Sequence, residues 1–181
     1  MAVEKYGLRC QPPRGWRLAI ERKASPVAGV PHGLSSAMRG QALERVEPNG
    51  EVMRPILHAC TIDLPPDRGD FGSGVVDLLG SEDVFISLVE YGSEVADQGL
   101  FAEQGMPRLA PSQFGPNRLQ RPLPGRSASQ HFFSVGGRAF CLFTVIGSHS
   151  RRMATVPRAA QVVRGLHVTD RRTLVRAGEM S

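Results

Sequence analysis

Residues 130–168, QHFFSVGGRAFCLFTVIGSHSRRMATVPRAAQVVRGLHV, constrain the fold more than any other stretch of the chain. Two β-branched and aromatic runs, 131–135 and 138–146, flank Gly136-Gly137. A Gly pair between such runs reads as a two-residue hairpin turn, because both central positions can take positive φ. The second run is apolar on both faces. Phe140, Leu142, Thr144 and Ile146 fall on one, and Ala139, Cys141, Phe143 and Val145 on the other. A strand without a polar face is covered on both sides, so a helix is expected over at least one. The sequence supplies it directly: Thr155 as cap, Pro157 in the first turn, an apolar stripe of Val156, Ala159, Ala160 and Val163, and Gly165 as stop before Leu166-His167-Val168.

Elsewhere the pattern is fainter. Residues 7–11 and 16–22 read as short strands around Pro12-Pro13-Arg14-Gly15, and 56–64 and 83–91 as two more. Ser73 can cap a helix through Leu79 with Gly80 as its stop. Residues 24–54 carry no sustained period, although Pro48-Asn49-Gly50 marks a turn and allows a loose hairpin. Residues 92–129 hold five prolines, which exclude long helices. Together these elements predict an α+β fold, a single antiparallel sheet of about five to six strands with helices packed on it. The domain is expected to span residues 1–168, and 169–181 to form a flexible, dispensable tail.

At 181 residues the chain can bury a core without disulfides or metal. Its three cysteines, Cys10, Cys60 and Cys141, each sit in an apolar strand-like run and read as buried reduced thiols. The N-terminus shows no signal-peptide h-region, and no run reaches the ~18 apolar residues of a spanning helix. The expectation is a cytoplasmic protein with no membrane partner and no cofactor.

Charge is unevenly spread. The cations are 20 Arg and only 2 Lys. Residues 63–103 hold ten acids against Arg68, a net of −9, whereas 104–181 carry +10 and 1–62 carry +4. Either these segments neutralise each other in the fold, or they form two patches that steer partners. The basic candidates are Arg151, Arg152, Arg158, Arg164, Arg171, Arg172 and Arg176, a footprint suited to nucleic acid or another polyanion. No recognition helix, zinc motif or exposed interleaved aromatics accompany them.

The opening, Leu8-Arg9-Cys10-Gln11-Pro12-Pro13-Arg14-Gly15-Trp16, resembles the strand, proline, Gly-Trp entry of PsbP-like proteins. The closing strand, helix and short strand of 140–168 are similar to the end of the same fold. The middle, with GDFGSGVV and DVFISLVEYG, looks more like uncharacterised actinobacterial relatives. The resemblance implies a non-enzymatic domain that binds a protein partner, and it carries over no site residues. A protein-binding or chaperone-like adaptor is therefore the first expectation, polyanion binding the second and a cysteine-dependent hydrolase the third.

No catalytic motif stands out. His58 and Cys60 share a strand face, where Cys141, His131 or His149 would have to complete a metal site or a Cys–His pair. A buried thiol beside a satisfied histidine explains them more simply. Asp63, Asp67 and Asp70 lack the alternation of a calcium loop. Gly72-Ser73-Gly74 lacks the lysine of a phosphate loop and is surrounded by acids. Trp16 reads as a core anchor under the C-terminal helix.

Overall fold

The structure, a computed structural model, describes residues 2–24 and 53–178. Strands β1 (Val3–Lys5), β2 (Leu8–Cys10) and β8 (Leu166–Val168) form one antiparallel sheet in the order β1-β2-β8. Strands β3 (Arg17–Ala24), β4 (Met53–Cys60), β5 (Val84–Glu90), β6 (Ser127–Val135) and β7 (Arg138–Ile146) form a second, in the order β3-β4-β5-β7-β6, with every pairing antiparallel. Two α-helices are present among the described residues, α1 (Arg152–Arg164) and α2 (Arg171–Arg176).

The α+β class holds, but the single sheet becomes two. Pro12 and Pro13 lack the N–H groups that a continuing ladder needs, so the chain leaves the first sheet after Cys10 and re-enters pairing at Arg17. Strand β2 is then free to take β8, with Leu8 opposite Val168 and Cys10 opposite Leu166.

The hairpin forms as the sequence predicts. Gly136 and Gly137 take φ of 60° and 72°, and β6 pairs with β7 from Val135↔Arg138 outward. Every residue of β7 is buried. On one face, Phe140, Leu142 and Ile146 pack with Val156, Ala159, Val162 and Val163 of α1 and with Leu8, Cys10 and Leu166 of the small sheet. Trp16 joins this cluster, partly buried. On the other face, Cys141, Phe143 and Val145 meet Phe71, Val75, Val76 and Leu79, which come from tight turns rather than a helix. The expected helix over 73–79 shrinks to a single 3-10 turn, Val76–Leu78. Gly72 and Gly74 at φ of 83° and 85° hold the preceding chain in left-handed conformations that no α-helix continues.

Other boundaries move. Strand β4 runs from 53 to 60 rather than 56 to 64, and β6 begins at Ser127 rather than 131. Helix α1 starts three residues before Thr155, which is buried inside it and donates to the Arg151 carbonyl at 3.2 Å. Pro157 lies within the helix, leaving the Met153 carbonyl without a donor. Both residues are exposed, so water can satisfy that carbonyl.

The tail departs most from expectation. Asp170 caps α2 by accepting the Arg172 N–H at 2.8 Å, and Leu174 is buried. The Arg171 N–H bonds the Gly136 carbonyl at 2.8 Å, docking the helix on the β6–β7 turn. A Cβ on Gly136 would lie 2.9 Å from the Asp170 Cα, so this contact needs glycine for space as well as for φ. One buried leucine and one cap are too short a signal for periodicity to reveal. Residues 48–50, with their turn signal, lie outside the described residues.

Candidate functional site

The basic residues divide at the two ends of α1. Near its start, Arg151 pairs with Glu82 at 2.6 Å, Arg158 donates to the Glu82 carbonyl at 2.8 Å, and Arg152 donates to the His149 carbonyl at 3.1 Å. Around its end and beyond, the guanidinium groups of Arg164, Arg171, Arg172 and Arg176 are exposed, and none has a partner among the described residues. The seven arginines therefore make no continuous stripe.

The acidic segment explains the division. Six of its ten carboxylates are ion-paired: Asp63 to Arg17, Asp70 to Lys23, Asp77 to Arg121, Glu82 to Arg151, Glu90 to Arg138 and Glu94 to Arg54. Asp83 instead accepts from the Thr61 hydroxyl and the Gly80 N–H, both at 2.8 Å. Most of the acids are thus matched by ion pairs or hydrogen bonds, several of them at the surface, while Arg164, Arg171, Arg172 and Arg176 meet no carboxylate among the described residues.

Two depressions flank the last turn of α1. One, of about 440 Å³, has Arg9, Gln11, Gln161 and His167 around it, with Pro12, Pro13 and Gly165. Arg9 and His167 are cross-strand partners on the exposed face of the small sheet, which places them side by side. The other, of about 450 Å³, has Arg108 and Arg164 at its edge above Leu109, Val163 and Leu166. Arg9, Arg108, Arg164 and His167 thus surround the helix end. Sequence reasoning missed Arg9 and Arg108 because nothing local links them to α1. A third cleft, of about 230 Å³, opens on the opposite face of the main sheet between Phe71, Val76, Leu119, Leu123, Phe143 and Val145.

His58 and the three cysteines are core groups, whereas His131 and His149 are partly buried. His58 is 1% exposed. Its Nε2 donates to the Asp70 carbonyl at 2.9 Å, and its Nδ1 accepts from Arg68 Nε at 2.8 Å. Burial pushes its pKa down to about 4; the Asp70 carbonyl opposes this and the Arg68 charge adds to it. Both nitrogens are committed, which leaves none for Cys60. Burial raises the thiols of Cys10 and Cys60 to about 11 and that of Cys141 to about 12. Gln130 Nε2 lies 3.7 Å from the Cys141 sulfur. None of the three is the exposed, acidified thiol that a nucleophile requires. His149 Nδ1 lies 3.1 Å from the Ser127 hydroxyl, away from the thiols. Burial also lowers the pKa of His131.

Asp63, Asp67 and Asp70 do not converge. Asp63 turns to Arg17 and Asp70 to Lys23, while Asp67 is exposed. No group of three or more His, Cys, Asp or Glu suited to a metal ion occurs among the described residues. The Gly72-Ser73-Gly74 segment is taken up by its own turn, with the Val75 and Val76 N–H groups bonded to the Gly72 carbonyl.

Two buried cationic clusters went unread in the sequence. Arg138 is fully buried and spends all five donors: two on Glu90 at 2.8 and 2.7 Å, and three on the carbonyls of Gly7, Thr169 and Tyr6 at 3.0, 3.2 and 3.2 Å. It fastens the small sheet to the main one. Arg68 does the same for the 65–72 loop, donating to His58, to the Pro65 carbonyl at 2.9 Å and to Glu21 at 2.5 Å. Ser87 completes that cluster with a 2.5 Å bond to the Asp70 carbonyl. An arginine opening an otherwise apolar strand, and a glutamate ending another, were the available signals.

No helix among the described residues is long and apolar enough to cross a membrane. The chain matches no protein-family model, no curated protein and no solved structure. The likeness to PsbP-like proteins therefore rests on residues 8–16 and 140–168 alone.

Proposed function

We propose that the protein binds nucleic acid or a comparable polyanion through the arginines at the end of α1 and on α2. One observation carries the reading. Six of the ten acids of 63–103 are ion-paired, whereas Arg164, Arg171, Arg172 and Arg176 have no partner among the described residues. Uncompensated guanidinium groups attract phosphate chains by counterion release, without any base-specific element.

The test is the salt dependence of binding to duplex DNA. Each phosphate contact contributes about 0.9 to the log–log slope, so Arg164→Gln/Arg171→Gln/Arg172→Gln should flatten it by roughly 2 to 3. Arg151→Gln should leave it unchanged, since that guanidinium is already paired with the Glu82 carboxylate. Equal losses in the two variants would overturn the reading.

A protein-binding adaptor is the second reading, favoured by the apolar cleft over Phe143 and Val145 and by the PsbP-like resemblance. A single aromatic or leucine side chain of a partner fits its volume. Leu123→Asp should then abolish a protein interaction while leaving the salt-dependent binding intact. The localisation expected for either activity is the cytoplasm.

A further inference from the structure

The depression beside Gly165 is more than an extension of the basic surface, because it offers hydrogen bonds of both signs. Its rim supplies donors from Arg9 and His167, and Gln11 and Gln161 add carboxamides that donate and accept. None of these four side chains has a partner among the described residues. Its floor supplies acceptors. Without a side chain at Gly165, the backbone oxygens of Gln11, Val162 and Gln161 lie 3.3, 3.4 and 3.8 Å from the point where a Cβ would stand. The Gly165 N–H is shared between the carbonyls of Gln161 and Val162, so these end-of-helix acceptors are under-supplied with donors.

This mixture selects among ligands. A bare anion would be drawn by Arg9 and His167 but repelled by three carbonyl oxygens and by the negative end of the α1 dipole. Glu4, the cross-strand partner of Arg9, adds a further negative charge beside the rim. A ligand that joins an anion to a planar group with its own N–H donors meets both requirements. An unpaired nucleotide is such a ligand: its base edge can donate to the carbonyls and carboxamides while its phosphate accepts from the Arg9 guanidinium and the His167 ring. Arg and His planes are surfaces on which unstacked bases rest, and Pro12 and Pro13 wall the opposite side. A paired base has already spent the edge that this floor would read.

We propose that this depression holds one unpaired base of a single-stranded nucleic acid, with the adjacent phosphate on Arg9 and His167. The proposal rests on the polyanion reading and sharpens it from charge to strand type.

The experiment measures anisotropy of a labelled mixed-sequence single-stranded DNA, with heparin binding followed in parallel. Gln11→Ala/Gln161→Ala removes exposed groups that make no internal bonds. It should weaken single-strand binding about tenfold, the worth of one or two hydrogen bonds, and leave heparin binding as it was. Gly165→Ala should do the same by filling the floor, and its φ of −84° suits alanine. A nucleoside monophosphate should compete with the single strand at concentrations where inorganic phosphate does not. Unchanged single-strand binding in both variants, equal loss for heparin, or equal competition by phosphate would overturn the proposal and leave the charge reading standing. Absence of salt-dependent binding to either probe by the unaltered protein would overturn both.

Discussion

Arg138 and Arg68 lie inside the molecule with their donors committed, whereas Arg164, Arg171, Arg172 and Arg176 stand in solvent with no partner among the described residues. The two sets share a chemistry and differ in their neighbours. An arginine can be buried only where carboxylates and carbonyls take its donors, and the acidic segment provides them at Glu90 and, through the Asp70 loop, around His58. A carboxylate that satisfies a buried arginine, as Glu90 does, cannot also neutralise a surface one. The other acids that reach the C-terminal half meet Arg121 and Arg151 rather than Arg164, Arg171, Arg172 or Arg176. The uneven charge along the chain thus becomes two separate things in the fold, a set of joints and an unmatched basic face.

The sharpest way to break that comparison is to remove a joint. Arg138→Met leaves Glu90 buried without its partner and strips three backbone carbonyls of donors. The expected cost is about 3–5 kcal/mol in urea unfolding. Adding Glu90→Leu should recover part of it, since the stranded charge is then gone. A cost below 1 kcal/mol, comparable with surface changes, would mean that the buried arginine is no joint at all.

The second joint is tested by pH. His58 is neutral when folded because its pKa is depressed to about 4, while an unfolded histidine titrates near 6.5. Between those values the unfolded chain binds the extra proton, so stability falls as pH drops from about 6.5 towards 4. The full loss is about 3 kcal/mol by linkage. His58→Gln retains an amide to bond the loop but cannot titrate, so its stability profile should be flatter across that window. An unaltered slope would assign the acid limb to other groups.

How much of this was legible depended on the range of the interaction. The β6–β7 hairpin, the all-buried β7 and a helix on it could be read, because turn chemistry and apolar runs are local. The buried thiols followed from the same runs. The division into two sheets was not legible as long as Pro12-Pro13 was read only as a turn; its missing N–H groups also decide where pairing stops. Arg138 reaches carbonyls more than 130 positions away, at Gly7 and Tyr6, and no window on the sequence contains them. The candidate site suffered in the same way. The arginines could be named, but which of them Glu82 would occupy was a matter of tertiary contact.

A third test concerns how the solvent arginines are presented. Arg171, Arg172 and Arg176 ride on a helix held by Asp170 and by Leu174, which packs close to Gly7. Leu174→Ala should cost about 2–3 kcal/mol, within the range for buried leucines. It should also weaken polyanion binding, although Leu174 carries no charge. A neutral outcome on stability would return 169–178 to the status of a loose tail and separate the arginines from any fixed surface.

The smallest expected effect is the most direct check on the division at α1. Arg151 and Glu82 form a pair at 2.6 Å, but each side chain is 53% exposed. Screening and side-chain entropy limit such a pair, so Arg151→Gln should change stability by less than about 0.5 kcal/mol. Its effect on DNA affinity should be equally slight, because the guanidinium is occupied and its charge is offset within the protein. Glu82→Gln tests the converse. Freeing Arg151 from its carboxylate should add an unmatched cation at the start of α1, and binding to duplex DNA should tighten with a steeper salt slope. If Glu82→Gln leaves the slope unchanged while Arg164→Gln flattens it, the binding face is confined to the end of α1 and to α2. If Arg151→Gln flattens the slope as strongly as Arg164→Gln, neutralisation by Glu82 does not distinguish the two ends, and the division between joints and surface fails at its weakest contact.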